Sequence, residues 1–364
     1  MLFPWDHKKK KDLCILFGGV STEHKVSIDS AKNIFKSINK EKYNITLVGI
    51  TKKGRWYLQS PKIFTQKEID EVEESDEEVF LLPSLEGRLV YVSNLSKRID
   101  IDVIFPVLHG NMGEDGSLQG LFKLVDIPYV GSSILGSCLG LDKDLSKRLF
   151  RENNIPTPNF MVFRDHEKID TNSIVYKLGL PVVVKPSSMG SSIGVSIARK
   201  QAEILTSFKN AFKYDRKVIV EEYIEGRELE CSVLGNERSR VSPVGEVIPN
   251  NEFYSYSAKY SSDSKTEIII PAKLESKKEK EIRMLAKKAF NTLCCEGMAR
   301  VDFFLKSDDT VLVNEVNTTP GFTDISMYPK LWEEGGIKYS DLIDRLIELA
   351  IERYEREYIL KRTI

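Results

Sequence analysis

Two stretches near the C-terminal end constrain this chain most: Met298-Ala-Arg-Val-Asp-Phe-Phe304 and Val311-Leu-Val-Asn-Glu-Val-Asn317. Both are rich in β-branched and apolar residues, with polar residues at every second position, the pattern of a strand. Alternate side chains of a strand share a face, so Arg300 and Asp302 lie on one side of the first, and Glu315 and Asn317 on one side of the second. The turn-rich Ser307-Asp-Asp-Thr310 between them predicts antiparallel neighbours. Asp302, Glu315 and Asn317 then converge as oxygen ligands with a guanidinium alongside. Hard oxygen donors suit Mg²⁺, and Mg²⁺ held by few protein groups usually also holds substrate phosphates. The same residues fit a plainer arrangement, an Arg300–Glu315 cross-strand ion pair with two solvated neighbours.

The rest of the chain decides between these. Its 364 residues leave room for two or three domains. With 53 Lys+Arg against 54 Asp+Glu there is no global field to favour nucleic acid or a membrane surface. No segment approaches a membrane-spanning apolar run, and the N-terminus lacks the apolar stretch of a signal peptide. The five cysteines, at 14, 138, 231, 294 and 295, have no metal-type spacing and read as reduced thiols of a cytoplasmic protein. The basic run Lys8–Lys11 reads as a solvated, frayed tail.

Asp12-Leu-Cys-Ile-Leu-Phe17 is a buried-strand run ending in Gly18-Gly19. A helix pattern follows over about 26–38, then a strand at Ile45–Ile50. This is the opening of an open α/β sheet. The acidic segment Gln66–Glu78 reads as a solvated insertion. A further strand, Ile101–Val107, ends in His109-Gly110, followed by a glycine-rich loop and a helix to about Val125. We divide the chain into an N-terminal α/β domain (12–135), a central domain (136–225) and a C-terminal domain (226–364) that carries the metal strands. The central region has a helix over about 142–152 and strands at Val182–Lys185, Gly194–Ala198 and Val218–Tyr223. An amphipathic helix, Tyr339–Tyr358, closes the chain.

Four further constellations carry chemistry. Lys185-Pro-Ser-Ser-Met-Gly-Ser-Ser-Ile-Gly194 is a small-residue loop after a strand. Its backbone N–H groups can approach an anion, with Lys185 supplying charge. It is not a Walker A loop, and it also reads as a plain glycine hairpin. Glu221-Glu222-Tyr223-Ile224 leaves a buried strand as an extended segment whose backbone suits an adenine base, and Glu228 suits ribose hydroxyls. Taken alone, the same run reads more readily as a solvated acidic linker. Gly18-Gly-Val-Ser-Thr-Glu23 sets a carboxylate at a helix start, to bind a substrate ammonium or simply to complement the helix dipole. His109 follows a strand and lines the carboxyl ends of the sheet, where ligands bind, or is structural. After the second metal strand, Gly321 offers a backbone N–H as an oxyanion donor. Ser326 either caps a helix or binds a carboxylate there.

In this order the motifs resemble the ATP-grasp superfamily, and within it the D-alanine–D-alanine ligases. The resemblance spans nearly the whole chain. Its most specific parts are His109-Gly-Asn-Met-Gly-Glu-Asp-Gly-Ser-Leu-Gln-Gly120, the Lys185–Gly194 loop and Glu315-Val-Asn-Thr-Thr-Pro-Gly-Phe-Thr323. It implies a three-domain ATP-grasp architecture, α/β and α+β in class, with an N-terminal open parallel sheet. It implies ATP as co-substrate and two Mg²⁺, with Mn²⁺ as an alternative, held by Asp302, Glu315 and Asn317. Lys143 and Lys185 are implied to hold phosphates, the backbone of Glu221–Ile224 adenine, Glu228 ribose, and Lys259 the γ-phosphate. Glu23, linked to Ser191 and Tyr260, and His109 are implied to bind the first D-alanine. Ser326 and the Met327 N–H take the carboxylate of the second, and Arg300 and the Gly321 N–H stabilise the oxyanion. The segment Ser188-Met189 and the loop Tyr254–Thr266 are the lid candidates. Family analogy implies a homodimer. Sibling ligases that use D-serine or D-lactate as acceptor stand as alternatives, and Tyr260 argues against lactate, because many lactate-forming relatives carry His after the lysine. A nucleotide-binding regulatory module is the alternative from another class; the intact Arg300 and metal set argues against it.

Overall fold

The computed structural model describes residues 8–65, 70–83, 88–248 and 266–361. Lys259, Tyr260 and all of the 254–266 lid candidate but Thr266 lie outside the described residues.

The chain opens with β1 (Lys11–Gly18), α1 (His24–Ser37), β2 (Tyr43–Ile50) and β3 (Trp56–Leu58), then β4 (Val79–Leu81), β5 (Arg88–Tyr91), β6 (Asn94–Asp100), β7 (Val103–Val107) and α2 (Ser117–Leu124). Leu13 to Phe17 are all buried, as a strand covered on both faces requires. Strand β1 sits between β2 and β7 and is parallel to both, while β3 adds an antiparallel edge. The open parallel sheet expected from the strand–glycine–helix opening is therefore present. Strands β4, β5 and β6 form a separate three-stranded antiparallel sheet that the sequence pattern does not disclose. All seven residues of β6 are at least partly exposed, so it carries no hydrophobic alternation to read.

Two N-terminal expectations are corrected. Lys8 is exposed, as expected, but it is tethered and not frayed: its Nζ lies 2.8 Å from Asp12 and 2.8 Å from the largely buried Asp102. Asp12 on β1 and Asp102 just before β7 together recruit it. The acidic segment is not wholly solvated either, because Val72 is buried and its N–H donates to His24 Nε2 at 3.1 Å.

Next come α3 (Ile134–Leu141), α4 (Lys143–Glu152), β8 (Phe160–Arg164), α5 (Thr171–Leu178), β9 (Val182–Pro186), β10 (Ser196–Ala198), α6 (Gln201–Ala211) and β11 (Lys217–Glu222). The sheet order is β10-β9-β11-β8, antiparallel throughout. Ile204, Phe208 and Ala211 of α6 recur at helical spacing and pack on its buried valines.

The last sheet uses β12 (Arg227–Leu234), β13 (Arg240–Val241), β14 (Gly245–Ile248), β15 (Glu267–Ile269), β16 (Met298–Leu305) and β17 (Val311–Asn317), with α7 (Ser276–Thr292) against it. Its order is β15-β14-β12-β16-β17. The chain closes with α8 (Met327–Glu334) and α9 (Tyr339–Tyr358). Helix α9 returns to the first sheet: Leu342, Ile343, Leu346, Ile347 and Ala350 share one core with Leu13, Ile15, Phe17 and Ile28. Among the described residues no helix is long and apolar enough to cross a membrane.

Candidate active site

The β10-β9-β11-β8 sheet and the last sheet face each other across a cleft of about 570 Å³, lined by Lys143, Lys185, the loop from Met189 to Ser192, the run Glu221–Glu230, Arg300, Asp302 and Glu315. Strands β16 and β17 supply one wall. They are antiparallel, and their register sets Arg300 opposite Asn317 and Asp302 opposite Glu315. Strand β17 bulges after Glu315's pairing, with Phe303 matched to Val313, so Asn314 has no opposite residue. The plain Arg300–Glu315 arrangement is not what the register gives. Two carboxylates stand opposite one another, which is unfavourable unless cations lie between or beside them.

The cations are there. Arg300 reaches Asp302 with two contacts of 2.7 Å and Glu230 at 3.0 Å. Burial works against its charge, but Asp302 and Glu230 hold the guanidinium well above its ordinary value. Lys143, the first residue of α4, places Nζ 3.3 Å from Glu315 and donates to the Met189 carbonyl at 2.8 Å. Asn317 Nδ2 lies 3.3 Å from Asp302 Oδ2; turning the amide over presents its oxygen instead. Among the described residues no three carboxylates, imidazoles or thiolates gather into a metal cage. Two carboxylates and one amide do meet, a sparse set of hard donors that fits a divalent ion completing its shell with water and phosphate.

On the opposite wall, Lys185 and Glu221 come from adjacent strands. Ile219 pairs with Lys185, so Glu221 is its diagonal neighbour on the same face. Lys185 Nζ lies 2.9 Å from Glu221 Oε2, and Lys147 Nζ lies 3.1 Å from Oε1. Burial pushes the Glu221 carboxyl up, yet the two lysines hold it below its usual range. Burial pulls Lys147 down to about 8, against the pull of Glu221. The Glu222 and Tyr223 N–H groups donate to Asn159 and Pro181 carbonyls, so a donor for a bound base must come from beyond Tyr223. Glu228 stands on β12 opposite Phe304 and Val247.

At the end nearest the first sheet, the Ser191 hydroxyl donates to Glu23 Oε1. Ser191 and Ser192 have φ of 52° and 59°, left-handed values that non-glycine residues adopt at a cost. The loop is held there by the Lys143–Met189 contact and by Asp215, which accepts from the Ser188 N–H at 2.8 Å. His109 is buried, with Nδ1 3.0 Å from the Thr319 carbonyl. A carbonyl can only accept, so Nδ1 carries the hydrogen, and Nε2 is left as a buried acceptor without a partner among the described residues. Burial keeps this imidazole below its ordinary value, against the charge of Glu23. Glu114, in the loop after His109, accepts from the Gly110 N–H at 2.9 Å.

Past β17 the chain is pinned to α1: the Phe322 N–H donates to Ser30 Oγ at 3.1 Å, and Asn33 donates to the Phe322 carbonyl at 3.1 Å. Ser326 precedes α8 but makes no capping bond; its Oγ accepts from the Thr323 N–H at 2.9 Å. A side chain at Gly321 would meet Ser326 Oγ at 2.7 Å. Met327 buries its side chain with Val247 and Leu331, which leaves its backbone for any ligand.

Residues 12–132 match the family described as D-ala D-ala ligase N-terminus, and residues 149–348 match D-ala D-ala ligase C-terminus. This chain belongs to the D-alanine–D-alanine ligase family. It is 46% identical over 362 residues to the D-alanine–D-alanine ligase of Shouchella clausii, covering 98% of each chain. The D-alanine–D-alanine ligase structure from Coxiella burnetii superposes with a TM-score of 0.85 at 35% identity, over 96% of this chain and 97% of that one. The VanG D-Ala:D-Ser ligase from Enterococcus faecalis gives 0.83 at 35% identity, over 94% and 99%. The fold is that of this ligase family, α/β with mixed sheets, as the motifs imply.

Three site residues escape a reading by motif. Lys147 lies one helical turn after Lys143, a spacing that signals a shared face. Glu230 lies two residues after Glu228 on one strand face. Glu114 sits inside a quoted motif, but nothing in a sequence says that it is buried.

Proposed function

We propose that this chain joins two D-alanine molecules to D-alanyl-D-alanine, with ATP converted to ADP and phosphate through an acyl phosphate, as a cytoplasmic step in peptidoglycan precursor synthesis. The observation that carries this reading is that Arg300, Asp302 and Glu315 of one strand pair line a single cleft with Lys143, Lys185 and Ser191, and that the Ser191 hydroxyl donates to Glu23.

In this reading Lys143 and Lys185 hold the nucleotide phosphates, the Glu221–Ile224 segment the adenine, and Glu228 the ribose. Asp302, Glu315 and Asn317 hold two Mg²⁺, or Mn²⁺ in their place. Held there, the metal would supply positive charge to offset that of the phosphoryl group. Lys259 reaches the γ-phosphate, and Tyr260 joins Ser191 in orienting Glu23. Glu23 accepts from the ammonium of the first D-alanine, and the bare Nε2 of neutral His109 is a second acceptor for it. Ser326 and the Met327 N–H take the carboxylate of the second. Its amine attacks the acyl carbon, and Arg300 with the Gly321 N–H meets the oxygen that turns negative. The Ser188–Ser192 loop, seated on Glu23, keeps water from the acyl phosphate.

Two further parts belong to this reading. The chain divides at 12–135, 136–225 and 226–364. It works as a homodimer, supported by the outward-facing Ile134, Leu135 and Leu145 of α3 and α4.

The test is product identification by mass spectrometry after incubation with ATP, Mg²⁺ and equal D-alanine, D-serine and D-lactate. D-alanyl-D-alanine with ADP and phosphate is expected as the main product. A main product of D-alanyl-D-serine or D-alanyl-D-lactate overturns the acceptor, and no phosphate release dependent on D-alanine overturns the reaction.

A further inference from the structure

Lys147 is fully inaccessible, so it cannot touch a ligand in the cleft. Burying an ammonium is costly, and an apolar side chain of similar volume would serve a helix–sheet contact at least as well. Its partners are all polar. One is Glu221 Oε1 at 3.1 Å and the other is Thr157 Oγ1 at 3.0 Å. The Thr157 hydroxyl donates to the Val313 carbonyl at 2.8 Å, so its lone pairs face the ammonium. Lys147 thereby ties α4 to β11 and, through Thr157, to β17. The second oxygen of the Glu221 carboxylate holds Lys185, which does border the cleft.

Charge counting gives this arrangement a purpose. Lys185 and Glu221 alone would be neutral, and a neutral pair attracts phosphate poorly. With Lys147, two ammoniums share one carboxylate and a net positive charge remains. It is expressed at the cleft, because Lys185 is the only one of the two lysines there. We infer that Lys147 is a positioning residue for nucleotide binding, which frees the charge of Lys185 for the phosphates by taking half of the Glu221 carboxylate.

The inference rests on the reading that Lys185 faces ATP, and its test needs no D-alanine, so an error in the ligation chemistry leaves it intact. Affinity for a non-hydrolysable ATP analogue with Mg²⁺ is measured by calorimetry in the full chain, wild type against Lys147→Met and Lys147→Met/Glu221→Gln. The single variant should bind more weakly by on the order of tenfold, about one charge-assisted contact. The double variant restores the net positive charge and should recover most of that loss. A merely structural lysine predicts a double variant no better than the single. Melting curves report folding; should Lys147→Met fail to fold, Lys147→Gln, which keeps a donor without the charge, enters the same comparison. An affinity within about twofold of wild type in the single variant, or a double variant no tighter than the single, overturns the inference.

Discussion

Glu114 lies buried in the loop after His109, its carboxylate facing the Gly110 N–H and the field of Glu23. Burial first, and Glu23 second, push its carboxyl up to about 8, so it is largely protonated at neutral pH. The stability consequence has a definite sign. The unfolded chain releases this proton near the ordinary carboxyl value and the folded chain retains it, so stability falls as pH rises between those values and the loss is complete above about 8. A glutamine accepts the Gly110 N–H equally well and never ionises. Glu114→Gln should therefore gain melting temperature relative to wild type as pH rises from about 5 to about 8. A constant difference across that range would show that Glu114 titrates normally. At this scale the sequence discloses identity but not environment. Glu23, His109 and Glu114 are all visible in motifs; which is charged depends on burial that only the fold creates.

Among the elements, the β16–β17 pair shows what periodicity can and cannot disclose. Alternation alone places Arg300 with Asp302 and Glu315 with Asn317 on shared faces, and the turn between predicts the antiparallel pairing found. The register is not readable, because a bulge at Asn314 shifts the pairing by one residue, and it is the register that opposes Asp302 to Glu315. Likewise α4 is legible as a helix rich in lysine and arginine, but that two of its lysines point inward follows from packing. The opposed carboxylates make a direct prediction. Glu315→Gln removes one charged oxygen donor from a partly exposed strand face, so the fold should survive while the Mg²⁺ concentration for half-maximal turnover rises by on the order of tenfold or more. Near-normal turnover at low Mg²⁺ would place the metal elsewhere.

For the whole molecule, the first sheet is closed by the last helix. The amphipathic spacing of Tyr339–Tyr358 makes α9 legible, with its ends where the structure has them. Its destination is not legible, since an apolar stripe says only that something covers it. The structure sends it back across the chain, beside α1 and next to the loop that carries Gly321 and Ser326. Tyr339 donates to the Phe322 carbonyl at 2.8 Å, and Phe322 packs edge-on against Phe105 with ring centres 5.9 Å apart. The loop after β17 and the first sheet thus share one core, and damage to α9 must be felt by both. Leu346 is buried at the centre of that stripe, 1% exposed among Leu342, Ile343 and Ile347. Leu346→Ala should leave a cavity and cost about 2–5 kcal/mol in a urea titration followed by circular dichroism. If α9 were an appendage resting on a finished domain, the cost would stay under about 1 kcal/mol, as for substitutions away from a core, and activity would persist to the same urea concentration as in wild type.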